Sequence, residues 1–214
     1  LRVPEIPPDA GRFVAVLQDV QLPFVEGAAG RVTLTVGGGQ RIGVIGPNGC
    51  GKSTLLRVIA GQLLPLAGQC TVVEAHALLD QHLAVIDPAR SVLEVLRAAR
   101  PGTSEGELRT LLAQVGLDAS MVRVPSGQLS GGERVKAALA CVLYAEPVPR
   151  LLLLDEPGNH LDLVSQQALE SMLRAYKGAV LVVSHDDAFL QQLALTDRLV
   201  ATAEGWKLES HERN

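Results

Sequence analysis

Apolar residues are spaced along most of this chain, but at two places they are continuous: residues 151–154 (LLLL) and 179–183 (AVLVV). Strands that do not alternate are buried on both faces, as in a parallel sheet covered by helices. Residues 163–176 between them carry helical spacing, and Gly178 offers a C-cap, so 151–183 predicts a strand, helix, strand unit. Asp155 and Glu156 follow the first of these strands, and Ser184, His185 and Asp186 follow the second. Open α/β sheets bind ligands at the carboxyl ends of such strands. A shorter apolar run, 42–45, leads into a glycine-rich turn and a helical pattern that stops at Gly61. Nearer the N-terminus, 13–24 and 31–36 read as strands joined by Gly-rich turns, predicting an antiparallel sheet beside the 42–45 strand. Residues 69–79 read as one extended segment leading into Asp80 and Gln81. From 91 to 117 the period is helical, with Val92, Leu93, Val95 and Leu96 before Pro101 and Gly102, and Leu108, Leu111, Leu112 and Val115 after them. Residues 131–145 predict a further helix, stopped before Pro147 and Pro149, and 198–210 a closing hairpin that turns at Glu204 and Gly205. Residues 1–10, with Pro4, Pro7 and Pro8, read as a linker or tail, leaving 11–214 as one domain.

Composition narrows the class. The 214 residues are 47% hydrophobic but only 3% aromatic, so the core is built from Leu, Val, Ile and Ala. A net charge of −4 leaves no basic stripe able to grip a phosphate backbone unaided. Cys50, Cys70 and Cys141 give neither metal-ligand spacing nor an even disulfide framework, which suits a reducing compartment, and they read as small buried hydrophobes. No run reaches membrane-span length and no signal peptide precedes the first strand, so no direct membrane insertion and a cytoplasmic location are expected. The methionines, Met121 and Met172, are both internal, and the chain reads as a domain of a longer protein.

The turn after 42–45 is Gly46, Pro47, Asn48, Gly49, Cys50, Gly51, followed by Lys52, Ser53 and Thr54. Strand, GxxxxGK[ST] and helix together are a P-loop. Glycines let successive N–H groups point into one cavity, and the helix adds the positive end of its dipole, so a polyphosphate fits there. Lys52 is placed to reach the β- and γ-phosphates and the Ser53 hydroxyl to ligate Mg²⁺. Asp155 and Glu156 complete the chemistry: one carboxylate holds the Mg²⁺ shell, the other polarises the attacking water. Leu129, Ser130, Gly131, Gly132, Glu133 is a second signal, with Ser130 as N-cap and two glycines leaving the first helical amides open to an anion.

In this order the motifs resemble the nucleotide-binding domain of ATP-binding-cassette (ABC) proteins over nearly the whole chain. The resemblance implies an α/β fold with a mostly parallel P-loop NTPase core, an N-terminal antiparallel β subdomain and a small helical lobe at about 88–145. It makes 46–54 the Walker A motif, LSGGE at 129–133 the signature, LLLLDE the Walker B motif, Gln81 the Q-loop glutamine and a further Mg²⁺ ligand, Asn159 to Asp162 the D-loop and His185 the switch histidine. It implies that Phe24 stacks on adenine. It further implies two cassettes facing head to tail, each ATP lying between the P-loop of one and the signature of the other, with Ser130, Gly131, Gly132, Glu133 and Asp162 contacting nucleotide and Gln81, Glu156 and His185 acting in hydrolysis.

Within that superfamily, DEPGNHLDL (155–163), SHDDAFL (184–190) and LLDQH (78–82) with Asp87 and Pro88 are similar to ABC-F proteins, whose full chains carry two cassettes and act in the cytoplasm, mostly at the ribosome. The 82–128 region has no room for the arm insertion of many first cassettes, so the resemblance is to a second cassette. Gly158 departs from the Thr usual in that branch, and glycine loosens the backbone beside Glu156. Two other readings compete: the motor subunit of an ABC transporter, docked on a separate membrane partner, and a non-hydrolysing structural cassette. The intact Lys52, Asp155, Glu156 and His185 weigh against the last. The expected partners are a second cassette, in the same longer chain or as a homodimer, and the ribosome through the full-length protein.

Overall fold

The structure, a computed structural model of the chain, describes residues 13–80, 85–159 and 161–210. The predicted tail at 1–10 and Gln81 lie outside them. The described residues divide into two compact units: 13–78, 150–156 and 178–210 make one, and 79–80, 85–149, 157–159 and 161–177 belong to the other.

In the first unit β1 (Phe13–Gln21), β2 (Arg31–Gly37) and β4 (Ala67–Val72) form a three-stranded antiparallel sheet in the order β2-β1-β4. β2 alternates cleanly, burying Val32, Leu34 and Val36 and exposing Arg31, Thr33 and Thr35, the pattern of a sheet with one wet face. The larger sheet runs β5-β6-β7-β3-β8-β9, from β3 (Arg41–Ile45), β5 (His76–Leu79), β6 (Leu151–Asp155), β7 (Ala179–Val183), β8 (Asp197–Thr202) and β9 (Gly205–Ser210). β6 with β7, β7 with β3 and β3 with β8 are parallel, and β9 returns antiparallel on β8. Every residue of β6 and β7 is buried, as their unbroken apolar sequence requires. α1 (Lys52–Ile59) packs on β4, β6 and β7, and its Leu55, Leu56 and Ile59 join Ile42, Val44, Leu153 and Leu181 of the large sheet and Leu17, Val20 and Leu34 of the small one in a single core. Gly61, at φ 70°, closes α1. The sole tryptophan, Trp206, packs against this core and donates its indole N–H to the carbonyl of Ala29 at 2.8 Å.

Two sequence expectations change here, and the structure adds one helix. The extended segment at 69–79 is two strands in different sheets, broken at Val73 to Ala75, where the His76 ring nitrogen Nδ1 meets the Val73 carbonyl at 2.7 Å. The small sheet takes β4 as its third member, while the P-loop strand β3 lies in the large one. A short helix, α6 (Asp187–Gln192), capped by Asp186 through the Phe189 N–H at 3.0 Å, comes after His185; six residues are too few for a period to show.

The second unit is helical: α2 (Val92–Ala99), α3 (Glu105–Gln114), α4 (Gly131–Leu143) and α5 (Leu163–Ala175), so it takes in α5 beyond the 88–145 stretch expected of a lobe. α2, α3 and α4 each open with a reciprocal capping box, Ser91 with Glu94, Ser104 with Glu107 and Ser130 with Glu133. α2 packs on α3 and α4, and α4 on α5. From Lys136 to Leu143 every residue of α4 is buried. α5 ends at a Tyr176 cap in extended conformation, whose hydroxyl donates to the Pro149 carbonyl at 2.8 Å; Gly178 is not among the positive-φ residues, so it is not the predicted C-cap.

These boxes set a pH dependence. The Glu94 carboxyl is held below its ordinary 4.5 chiefly by the Ser91 backbone N–H, and that of Glu107 chiefly by the Ser104 hydroxyl. A depressed folded-state value means the unfolded chain binds more protons, so this stabilisation is present above about 4.5 and is lost as pH falls through the folded-state values. The thermal midpoint of the helical circular-dichroism signal should therefore hold from neutral pH down and then fall in acid, and Glu94→Gln with Glu107→Gln should flatten that fall. An identical acid limb in wild type and variant would show that the boxes do not drive it.

Candidate functional site

β6, β7 and β3 are adjacent and parallel, so the turns that leave their carboxyl ends gather along one edge of the first unit. After β3 the loop turns through Gly49 (φ 79°) and Gly51 (φ 99°) into α1, for which Gly51 is the N-cap. A Cβ on Gly51 would lie 2.7 Å from a methyl of Val25, so this glycine serves both the left-handed turn and a close approach to the segment after β1. The first amides of α1 have no carbonyl a turn earlier to accept them. Lys52 is buried, and its ammonium donates to the carbonyls of Gly46 at 2.7 Å and Pro47 at 2.9 Å. Among the described residues no carboxylate pairs with it. A buried cation held only by neutral carbonyls, beside a helix N-terminus, suits a polyanion.

One residue on, the Ser53 hydroxyl donates to Asp155 Oδ1 at 3.0 Å, and Asp155 is 5% exposed. Among the described residues no group of three or more His, Cys, Asp or Glu is placed to hold a metal. A hydroxyl and one carboxylate fit Mg²⁺, a hard cation that keeps few protein ligands and completes its shell with water and substrate phosphate oxygens.

Glu156 stands in the left-handed region, at φ 52°, with its N–H donating to the Val183 carbonyl at 2.9 Å. For a residue with a Cβ that conformation costs roughly 1–3 kcal/mol. It turns the carboxylate toward the end of β7, where Oε1 lies 3.3 Å from His185 Nε2 and Oε2 accepts the His185 N–H at 3.3 Å. Glu156 is mostly covered and His185 mostly exposed, so the histidine orients a sheltered carboxylate that can take a proton from water. Ser184 steadies the same turn, its hydroxyl accepting from the Asp186 N–H at 3.1 Å.

Phe24 also has a left-handed backbone, at φ 63°, and is 89% exposed. The predicted strand at 13–24 ends at Gln21, so Phe24 lies in a turn with its ring in solvent, next to the Val25 that packs on Gly51. Positive φ marks four non-glycine residues among those described, two of them Phe24 and Glu156. Nothing in the sequence pattern signals this.

The signature and Asp162 belong to the second unit. Ser130 caps α4, accepting from the Glu133 N–H, while Glu133 reaches back to the Ser130 N–H at 2.8 Å, so its carboxylate is engaged in the cap. The two glycines differ: a Cβ on Gly131 would meet open space, but one on Gly132 would overlap the Ser165 hydroxyl. Asp162 is the N-cap of α5, accepting the Ser165 N–H at 2.7 Å. The Ser165 backbone N–H, the Ser165 hydroxyl and the Lys136 charge together hold its carboxyl below the usual range. Asn159 precedes it, and the Leu161 N–H donates to the Gly158 carbonyl at 3.3 Å. Of the cysteines only Cys141 is buried, its thiol pushed up to about 12; Cys50 and Cys70 are half-buried, against the sequence expectation.

Residues 29–159 match the protein family described as ABC transporter. ABC transporter F family member 5 of Arabidopsis thaliana is 34% identical over 201 residues, 92% of this chain and 28% of that protein. F family member 2 of the same plant is 33% identical over 201 residues, 92% of this chain and 29% of that protein. The chain therefore spans less than a third of the length of these curated relatives. Among solved structures, a dimeric ATP-binding cassette in a post-hydrolysis state bound to ADP and Pi matches at a TM-score of 0.75 and 20% identity, covering 92% of this chain and 98% of that one, a likeness of fold. With a P-loop, two acidic residues and a histidine on neighbouring strand ends, and with residues 29–159 matching throughout, the chain belongs to the ABC transporter family, as an ATPase cassette resembling its F members.

Proposed function

We propose that this cassette binds Mg-ATP and hydrolyses it at an interface formed head to tail with a second cassette, as part of a cytoplasmic ABC-F protein acting on the ribosome in translation. The observation that carries the binding step is the buried Lys52 ammonium, satisfied only by the Gly46 and Pro47 carbonyls. On binding, Lys52 exchanges those carbonyls for the β- and γ-phosphate oxygens, the loop and α1 amides of 46–54 take the remaining phosphate contacts, and the exposed Phe24 ring stacks on the base. Ser53 and Asp155 hold Mg²⁺, with Gln81 as a further ligand, and the bound ion supplies neutralisation of phosphate charge. Glu156 takes the proton of the attacking water, and His185 holds that carboxylate in place.

The second cassette enters through the signature. Catalysis of phosphoryl transfer is mostly positioning and electrostatic stabilisation. In the proposed arrangement Ser130, Gly131, Gly132, Glu133 and Asp162 serve the nucleotide of the opposing cassette. The F-family relatives and the DEPGNHLDL sequence support the translational role, and the helices of the described residues include none long and apolar enough to cross a membrane.

Lys52→Ala removes a charge-assisted contact worth roughly 1.5–3 kcal/mol, so calorimetry should show ATP affinity weakened by about 10- to 150-fold; equal affinities would sink the phosphate cradle. Glu156→Gln should keep ATP affinity and cut turnover by roughly 10²- to 10⁴-fold; unchanged turnover removes Glu156 from the proton step. The ATPase rate per molecule of the wild-type chain should be near background when dilute and rise with protein concentration, and Ser130→Arg should abolish the rise at unchanged ATP affinity. A flat, high rate from a demonstrated monomer would mean that one chain holds a complete site. For the translational role, the full-length protein carrying Glu156→Gln should sediment with ribosomes in the presence of ATP; sedimentation with membranes instead would favour a transporter motor.

A further inference from the structure

We infer that Val25 is a positioning residue: its two γ-methyls, seated against Gly51 at the head of α1, hold the Phe24 turn at one distance from the phosphate loop, so that base and triphosphate are engaged together. The inference deepens the nucleotide-binding reading and rests on it for the base contact.

A Cβ on Gly51 would lie 2.7 Å from one γ-carbon of Val25 and 3.2 Å from the other, so both methyls bear on the backbone of the residue before Lys52. The same point is 3.5 Å from Leu22 Cδ1, so residues on both sides of Phe24 press on this N-cap. Behind the turn, a Cβ on Gly30 would lie 2.6 Å from the Val25 carbonyl oxygen, and the Leu22 N–H donates to the Gly30 carbonyl at 2.7 Å. Val25 is thus clamped between two glycines, one against its side chain and one against its backbone. Phe24, the residue before it, has the left-handed backbone and the exposed ring. Such a backbone on a residue with a Cβ persists only where its neighbours over-determine it.

Filling the core does not account for Val25. It is only half-buried, it sits at the margin of the core, and what its side chain meets at Gly51 is backbone. A β-branched side chain has few χ1 rotamers, so with both methyls on Gly51 the backbone that carries Val25 and Phe24 has little freedom to shift. ATP carries base and phosphates on one molecule. Two contacts on one ligand reinforce each other only where their spacing matches that of the ligand, and the gain is lost where it does not. Tripolyphosphate has no base and is indifferent to that spacing.

The test uses the 214-residue chain, with affinities for Mg-ATP and Mg-tripolyphosphate measured by calorimetry. Val25→Ala should weaken ATP by about five- to tenfold, a part of what a stacked base contributes, and leave tripolyphosphate within about twofold. Val25→Ile keeps both γ-carbons and, at a half-buried position, has room for its added methyl; it should return ATP to within about twofold of wild type. Because Val25 acts through the ring, adding Val25→Ala to Phe24→Ala should cost no more ATP affinity than Phe24→Ala alone. Equal losses of ATP and tripolyphosphate in Val25→Ala, or losses that add to those of Phe24→Ala, would overturn the assignment. ATP affinity lost in Phe24→Ala but kept in Val25→Ala would overturn it too, and leave the base contact standing. ATP affinity unchanged in Phe24→Ala would remove the base contact and the assignment with it. If Val25→Ala does not fold, Val25→Leu decides: it keeps an apolar side chain but moves the branch one carbon further out, and an unchanged preference for ATP over tripolyphosphate there would equally overturn the assignment.

Discussion

The parallel pairing of β6, β7 and β3 is the constraint on which the rest depends. Leu154 pairs with Val182, Asp155 with Val183, and Val44 with Val183, so the three strands run out of residues at the same edge. A one-residue slip in any of them would move its polar end along the sheet and reverse which side chains face the core. Because β6 and β7 are apolar on both faces, both faces must be covered, and on one side α1 gives that cover. The helix that closes the core is therefore the helix whose first residue is Lys52. Burial, which drives folding, and the convergence of Lys52, Ser53, Asp155, Glu156 and His185 are one arrangement.

Backbone strain falls in turns at two of the residues proposed for the site. Glu156 and Phe24 adopt backbone conformations that residues with a Cβ rarely take, and each is held by neighbours: Glu156 by the Val183 carbonyl, Phe24 by the Leu22 N–H to the Gly30 carbonyl at 2.7 Å on one side and by Val25 against Gly51 on the other. In the second unit the equivalent device is capping. Ser130 and Asp162 each end a helix, so the residues proposed to face a second nucleotide first satisfy their own backbone.

Much of this was legible in the sequence because it is written in periods and in residue types with one physical use. Continuous apolar runs marked β6 and β7, glycines before Lys52 marked the loop, and Ser130 marked a helix start. The features that were missed have no period. The break at Val73 to Ala75, which sends β4 and β5 to different sheets, depends on which neighbours are available in three dimensions, and a run of extended residues carries no record of that. α6 is too short for helical spacing, and Tyr176 closes α5 through a hydroxyl bond to Pro149 that no local pattern could indicate.

The lone tryptophan gives the molecule an optical property. Trp206 hangs by its indole N–H on Ala29, within the short turn whose Gly30 carbonyl also anchors Leu22, two residues before Phe24. All near-ultraviolet tryptophan emission from this chain thus originates at one hydrogen bond, on the segment that carries the exposed ring. The colour of that light registers how wet and how ordered this corner is, so the protein comes with its own dye, bonded one residue along the chain from the anchor of the Phe24 turn.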